Sequence, residues 1–212
     1  SNYFEVGAFF RGNDTVQYAN LQHEFFPMVG EFYRGKARIT PGFQYFTSVM
    51  RPASRGSVTL ASKDPKAAPV LKFNFLTADE DIRQLREGIR KTREIIAQKS
   101  WDELRGEELS PGKHVQTDEE LDTWIRNNAG TGYHAVSTCR MGYDPMAVVD
   151  ADGRVHGLQG LRVVDASVFP RLTTGNTNAP TIMLAEKLSD HILGRMAPPA
   201  NVPAPREALA AS

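Results

Sequence analysis

Cysteine, unbalanced charge and long apolar runs are all scarce in this sequence. Cys139 is the single cysteine among 212 residues, which excludes an internal disulfide and a zinc site built on thiolates. Basic and acidic side chains number 25 each and form no basic block, so nucleic acid is not an expected partner. No apolar run approaches the roughly 20 residues of a membrane-spanning helix. These absences favour a cytoplasmic protein without bound metal, at most peripheral to the inner membrane.

Two dense runs of small and polar residues are present, at Gly132–Gly142 and Thr173–Thr181. The first contains His134, whose imidazole can take a proton near neutral pH. The second contains Asn176, whose carboxamide can both donate and accept hydrogen bonds. Together these two side chains could deprotonate a hydroxyl group and stabilise the alkoxide that results.

A third segment, Gly160–Ser167, has the pattern of an apolar strand that ends in a small, polar turn. Nucleotide cofactors commonly bind an α/β sheet at such strand ends. With these three segments, the chain from Ser1 to Arg195 resembles the C-terminal part of the glucose-methanol-choline (GMC) family of FAD-dependent alcohol oxidoreductases, above all its choline-oxidising members. Further support for the resemblance comes from residues 1–5, 54–60, 62–65, 116–121 and 155–158.

The resemblance implies that part of the enzyme lies outside this sequence. GMC proteins hold the FAD pyrophosphate with a Gly-x-Gly-x-x-Gly loop near the N-terminus, and no such loop follows a strand here. The chain also begins with Ser1 rather than methionine. We therefore expect a C-terminal portion that works with an N-terminal FAD-binding half on a small-molecule alcohol.

The resemblance also implies roles for single residues. In the family, hydride passes from the alcohol to flavin N5 while a histidine takes the hydroxyl proton, and the matching residue is His134. Asn176 matches a second residue that hydrogen-bonds the same oxygen. A capped helix start would stabilise the negative charge that the flavin acquires. The implied cofactor contacts are Asp165, Ala166, Thr177 and Asn178. For Asp165, an ordinary capping role after a strand stays open.

Two residues beside His134 depart from the family pattern. Ala135 stands where family members commonly have proline, and Ser137 where they have glycine. Loss of proline relaxes the backbone, and serine disfavours a positive φ. We expect an altered loop geometry with the chemistry retained.

Secondary-structure patterns divide the chain into two kinds of segment. Short apolar stretches alternate with turns in residues 1–75, which predicts antiparallel strands. Capping boxes of Thr77 with Glu80 and of Thr117 with Glu120 predict two helices. The first helix should reach about Gln98, with these side chains on its apolar face: Ile82, Leu85, Ile89 and Ile96.

The segment after Gly130 has a different pattern. A hairpin is expected around Ala151–Gly153, and a further strand at Leu161–Val164. A last helix should be capped by Asn178 and stop at Gly194. Its expected buried positions are Ile182, Leu184, Ala185, Leu188 and Ile192.

The predicted fold class is α+β. An antiparallel sheet with packed helices would form the substrate-binding domain at 1–129. Residues 130–195 would supply the C-terminal strands and helix of an FAD-binding α/β domain, together with the catalytic pair. An Ala/Pro-rich tail at 196–212 cannot bury enough apolar surface to become ordered.

Aromatic and acidic residues in the first 75 positions bear on the identity of the substrate. An aromatic wall with Glu24 as counter-charge could bind a quaternary ammonium group. Its candidate residues are Phe25, Phe26, Phe32 and Tyr33. For Phe25 and Phe26, packing in the core is the alternative. Choline is the leading substrate, while another alcohol, or a non-catalytic binding module that keeps the fold without FAD, stays open.

Overall fold

The computed structural model describes residues 6–33 and 36–195, without the side chains of residues 31–33, 36 and 37. This part of the chain contains helices and short antiparallel strands, which confirms the predicted α+β class. The strands are β1 (Gly7–Phe10), β2 (Leu21–Phe26), β3 (Val29–Tyr33), β4 (Lys36–Thr40), β5 (Gln44–Val49), β6 (Ser57–Thr59) and β7 (Val70–Lys72). The helices are α1 (Asp79–Ile96), α2 (Asp118–Asn128) and α3 (Asn178–Ile192), with 3-10 turns at Lys99–Trp101 and Ala166–Val168. The predicted tail lies outside the described residues.

Strands β1, β2 and β5 form one antiparallel sheet with β2 in the centre, while β3–β4 and β6–β7 are separate hairpins. Side chains alternate between the two faces of a strand, so neighbouring positions of β2 have different surroundings. His23 and Phe25 belong to the face that α1 covers. The Nε2 of His23 lies 3.1 Å from the Oγ1 of Thr92 on α1, and the Phe25 ring centroid lies 5.9 Å from that of Trp101.

The opposite face of β2 carries Gln22, Glu24 and Phe26. Gln22 is paired with Phe9 of β1 and with Ser48 of β5. Residues directly opposite each other in an antiparallel pair share a face, so Phe9 lies beside Gln22. The backbone of Gln22 therefore has a neighbouring strand on each side.

The capping box predicted for Thr77 and Glu80 is wrong. Helix α1 begins after Ala78 without a side-chain cap. The Thr77 hydroxyl donates to the carbonyl of Asn74 instead, and the N–H of Ala78 donates to the Oγ of Ser54 over 3.1 Å. A tertiary contact thus replaces the local cap. On the predicted apolar face of α1, Ile82 is buried and the other three residues are half-buried.

The second capping box is confirmed. The N–H of Glu120 donates to the Oγ1 of Thr117 over 3.2 Å, and the Glu120 carboxylate accepts from the Thr117 N–H over 2.9 Å. These reciprocal bonds satisfy two amide donors at the start of α2. Leu121 and Ile125 are buried on the inner face of the helix.

The predicted hairpin after Gly130 forms only isolated bridges rather than continuous strands. Val149 bridges Val155, and Arg154 bridges Arg162. The turn is made at Gly153, whose φ of 74° suits glycine. The core beneath this region consists of Val149, Val168, Phe169, Leu184 and Leu188. A domain boundary at residue 130 stays a prediction.

Helix α3 differs from the prediction at its start and on its surface. Asn178 is the first helical residue rather than the cap, because Thr177 occupies the cap position. Ile182 and Ile192, predicted as buried, are more than half exposed. The stop at Gly194 is confirmed: its N–H donates to the carbonyl of His191, and the next N–H reaches back to Asp190.

Candidate active site

His134 and Asn176 are in direct contact although 42 positions separate them in the sequence. The Nδ2 of Asn176 donates a hydrogen bond to the Nε2 of His134 over 3.0 Å. The other ring nitrogen, Nδ1, lies 2.8 Å from the Oγ1 of Thr177. His134 is half-buried and Asn176 is exposed. The structure thus brings together two residues that the sequence placed in separate segments.

The loop that carries His134 is anchored to the 3-10 turn at Ala166–Val168. Backbone hydrogen bonds of 3.5, 2.9 and 2.8 Å join Ser137 to Ala166, Cys139 to Ser167 and Met141 to Val168. Val168 is fully buried in the C-terminal core. The His134 loop is therefore attached to a well-packed part of the molecule.

Ser137 adopts a φ of 71°, so the expectation that serine would avoid the left-handed region is wrong. The backbone hydrogen bonds on either side of the turn hold this conformation, and the Oγ of Ser137 is buried without a hydrogen-bond partner in the described residues. Tyr133, on the other side of His134, also has a positive φ, of 61°. Strain of this kind is concentrated at functional sites in proteins.

Helix α3 starts beside the catalytic candidates and has no side-chain cap. The N–H of Thr181 donates to the Thr177 carbonyl over 3.0 Å, and Pro180 has no N–H. The N–H groups of Asn178 and Ala179 therefore have no partner within the helix, and they lie at the positive end of its dipole. The electron-rich edge of a flavin ring fits this donor set. Thr177 and Asn178 stay predicted cofactor contacts.

Sequence analysis missed Gln22, which reaches the pair from strand β2. Its Nε2 donates to the Oδ1 of Asn176 over 3.1 Å and to the Oε1 of Glu24 over 2.9 Å. Gln22 is only 8% exposed. The alternation along β2 would have placed Gln22 and Glu24 on one face, but no local signal directs that face to a segment 154 positions away.

Asp165 and Ala166 lie at the turn to which the His134 loop is attached. The Oδ1 of Asp165 accepts from the N–H of Ser167 over 2.7 Å, which makes Asp165 the cap of the 3-10 turn. The capping role that the sequence left open is therefore present. Asp165 is also exposed, so a cofactor can still reach its carboxylate. The cofactor contacts of Asp165 and Ala166 stay predictions.

Phe25 is half-buried and packs in an aromatic cluster on the face of the sheet opposite to Gln22. Its ring lies 5.2 Å from that of Tyr45, 5.9 Å from Trp101 and 6.0 Å from Phe43, measured between centroids. This cluster lies on the face of the sheet that α1 covers. The alternative that the sequence analysis kept for Phe25 is the one the structure shows.

Other aromatic rings do occupy the face of β2 that carries Gln22. Phe26 forms an edge-to-face pair with Phe46, with 4.8 Å between centroids. Phe9, which the sequence analysis missed, borders the turn before Asn176: a Cβ on Gly175 would lie 3.6 Å from its ring. Phe9 is 56% exposed. The side chains of the other two suggested residues, Phe32 and Tyr33, lie outside the described residues.

Within residues 6–33 and 36–195, no group of three or more His, Cys, Asp or Glu side chains could hold a metal ion. Nor does any helix in this part of the chain have the length and apolar character needed to cross a membrane.

His23 is a second histidine with an unusual environment. It is buried in the sheet, and burial lowers the pKa of its imidazole.

Comparison with known proteins places the chain in a family. The sequence profile of the GMC oxidoreductases matches residues 52–185, more than half of the chain. The chain is 51% identical over 199 residues to an oxygen-dependent choline dehydrogenase of Acinetobacter baumannii (strain AYE), and 53% identical over 196 residues to one of Chromohalobacter salexigens. These alignments cover 94% and 92% of this chain but 36% and 35% of the relatives. The chain thus spans about a third of their length.

Solved structures give the same result. Pyridoxine 4-oxidase from Mesorbium loti matches 92% of this chain and 39% of its own with a TM-score of 0.80 and 27% identity. A formate oxidase matches 84% of this chain and 32% of its own with a TM-score of 0.74 and 28% identity. Profile, relatives and structures agree with the motifs around His134 and Asn176, and the chain belongs to the GMC oxidoreductase family.

Proposed function

We propose that this chain is the catalytic C-terminal portion of an FAD-dependent oxidoreductase that oxidises a primary alcohol to the aldehyde, with choline as the leading substrate. The observation that carries the proposal is the 3.0 Å contact between His134 and Asn176 beside an uncapped helix start. Such a pair can accept a proton and stabilise a developing alkoxide at one position.

The hydrogen bonds support a separate part for each side chain. Because the Asn176 amide donates to it, Nε2 of neutral His134 holds a lone pair, and the ring hydrogen is on Nδ1 toward Thr177. An alcohol placed between the two side chains would give its proton to Nε2 while its oxygen accepts from Nδ2 of Asn176. When bound, FAD supplies the acceptor for the hydride. The N–H groups of Asn178 and Ala179, which have no partner within the helix, would hold the electron-rich edge of the flavin ring.

A second polypeptide segment is part of the proposal. The chain covers about a third of its relatives, and hairpin β6–β7 and the residues that follow it expose a group of apolar side chains. Its members are Val58, Leu60, Val70, Leu71, Phe73 and Phe75. Exposed apolar surface of this extent is typical of an interface. We infer that the FAD-binding half covers it, and that the complete enzyme is cytoplasmic, with peripheral contact to the inner membrane allowed.

The names of the relatives and the residues on one face of β2 both favour choline over other alcohols. Both similar relatives described above are named choline dehydrogenases. In addition, the face of β2 toward Asn176 presents the Glu24 carboxylate with the rings of Phe9, Phe26 and Phe46. Aromatic faces and a carboxylate attract a quaternary ammonium group. The pyridoxine 4-oxidase and formate oxidase neighbours make a different substrate the second candidate.

The test joins this chain to the FAD-binding half and follows the flavin. A yellow protein whose flavin absorbance bleaches anaerobically with choline supports the proposal. Bleaching by another primary alcohol but not by choline would keep the reaction and reject the substrate. A colourless complex would reject the enzyme and favour a binding module that keeps the fold without the cofactor.

A further inference from the structure

Gln22 and Glu24 occupy a position that the proposed reaction does not by itself explain. They lie on the central strand of the sheet, and Gln22 bridges the carboxylate of Glu24 and the carboxamide of Asn176 through one nitrogen. That nitrogen is 2.9 Å from Glu24 and 3.1 Å from Asn176. The hydrogen bonds of His134 go to Asn176 and Thr177, so Gln22 is linked to the imidazole only through Asn176.

The Glu24 carboxylate sets the direction of donation in this series of hydrogen bonds. An ionised carboxylate only accepts hydrogen bonds, so Gln22 must turn its NH2 group, and not its oxygen, toward Glu24. The same NH2 group has a second hydrogen, which it gives to Asn176. Asn176 must then present its oxygen to Gln22 and its own NH2 group to His134.

The Asn176 amide in turn determines which nitrogen of the His134 imidazole carries the hydrogen. A ring nitrogen that receives an N–H must be an acceptor, so neutral His134 carries its hydrogen on Nδ1. Thr177 does not decide this, because its hydroxyl can donate or accept. The choice between the two tautomers of His134 therefore depends on which way the Asn176 amide is turned.

We propose that Glu24 and Gln22 are positioning residues that fix the orientation of the Asn176 amide and thereby keep the Nε2 of His134 available as the base. This inference rests on the proposed function. It assigns to Glu24 a task that is separate from contact with a substrate cation. Burial of Gln22 on the central strand suits the task, because a rotated Gln22 amide would leave its own buried polar atoms unpaired.

The sharpest test exchanges the two side chains. The double variant Gln22→Glu/Glu24→Gln keeps the volume, the net charge and the number of hydrogen bonds. However, a carboxylate at position 22 only accepts, so Asn176 would turn its NH2 group to position 22 and its oxygen to His134. We expect neutral His134 to change to the Nε2–H tautomer, and anaerobic flavin reduction in the FAD-loaded complete protein to slow by about 10-fold or more, as for a misdirected hydrogen bond.

The tautomer is read separately from the rate. Ring ¹⁵N shifts of His134, recorded at a pH where the imidazole is neutral and assigned with His134→Gln, distinguish Nδ1–H from Nε2–H. In addition, Gln22→Met removes the tether and should slow reduction by about 5- to 10-fold with FAD still bound. The control is Gln44→Met on β5. Gln44 is paired with Phe26, which lies on the same face of β2 as Gln22 but four positions, or about 13 Å, further along the strand.

The outcomes separate this inference from the proposed function. If the unaltered protein reduces its flavin with an alcohol while the exchanged variant keeps both the rate and the Nδ1–H tautomer, the positioning role is wrong and the function stands. If Gln44→Met slows reduction as much as Gln22→Met, the effect is one of general packing and the positioning role is again rejected. If the unaltered protein reduces no flavin with any alcohol, the proposed function itself fails.

Discussion

His134 and Asn176 are joined by a 3.0 Å hydrogen bond in which the amide nitrogen donates to Nε2. The ring nitrogen at the centre of the site is therefore an acceptor, as a general base must be. The same contact closes the space between the His134 loop and the start of α3, so an alcohol that binds between the two side chains has to replace it.

Replacement of His134 by alanine should slow anaerobic flavin reduction by about 10²-fold or more, the usual range for loss of a general base. FAD binding should persist, because the helix start and the turn at Ala166–Val168 remain. Stopped-flow absorbance of the flavin measures the rate. The matched control is His114→Ala on the exposed surface, and an unchanged rate in His134→Ala would reject the assignment of the base.

Replacement of Asn176 by alanine should slow the same step without releasing the cofactor. The alcohol oxygen would lose the N–H that stabilises its developing charge, which costs about 10²- to 10³-fold at comparable sites. Flavin content, measured by absorbance after gel filtration, separates two explanations. Loss of FAD from this variant would make Asn176 a cofactor anchor instead.

Replacement of Ser137 by glycine should stabilise the protein by roughly 1 kcal/mol. Glycine adopts the φ of 71° without strain, and the change removes a buried hydroxyl that has no partner in the described residues. Thermal unfolding measures the difference. Ser167→Gly, in the neighbouring turn, should be neutral or destabilising, and a loss of stability in Ser137→Gly would contradict the strain argument.

Replacement of Thr117 by alanine should destabilise the start of α2 by about 1 kcal/mol, because it removes the cap that the Glu120 N–H uses. Hydrogen exchange of peptides from α2, followed by mass spectrometry, reports this locally. Thr123→Ala within the same helix is the control, since its hydroxyl only bonds back to the Glu119 carbonyl. Equal acceleration of exchange in both variants would show that Thr117 has no special role.

The pH dependence of stability should carry a contribution from His23. Burial lowers its pKa from the ordinary value of 6.5, because desolvation penalises the charged ring. The unfolded chain therefore binds the proton first, so this contribution is complete above about pH 6.5 and is lost as the pH falls below it. His23→Gln should flatten the decrease in melting temperature on acidification. An equally steep decrease in His23→Gln would exclude His23 as the cause.

The sequence by itself determined the family and much of the local structure. The Thr117 box was predicted from its spacing and the end of α3 from Gly194, while His134 and Asn176 stay predicted site residues that the structure brings into contact. Signals of this kind act within one helical turn or one strand, because caps, turns and side-chain alternation depend on neighbours in the chain. Antiparallel pairing in the first 75 residues followed from the same periodicity.

Only the tertiary structure decided which surfaces meet. It replaced the predicted cap of α1 with Ser54, left Ile182 exposed on α3, and kept Ser137 in a conformation that serine alone disfavours. It also brought Gln22 to Asn176. Packing and hydrogen bonds between distant segments outweigh local preferences of about 1 kcal/mol, and such contacts leave no periodic trace in the sequence.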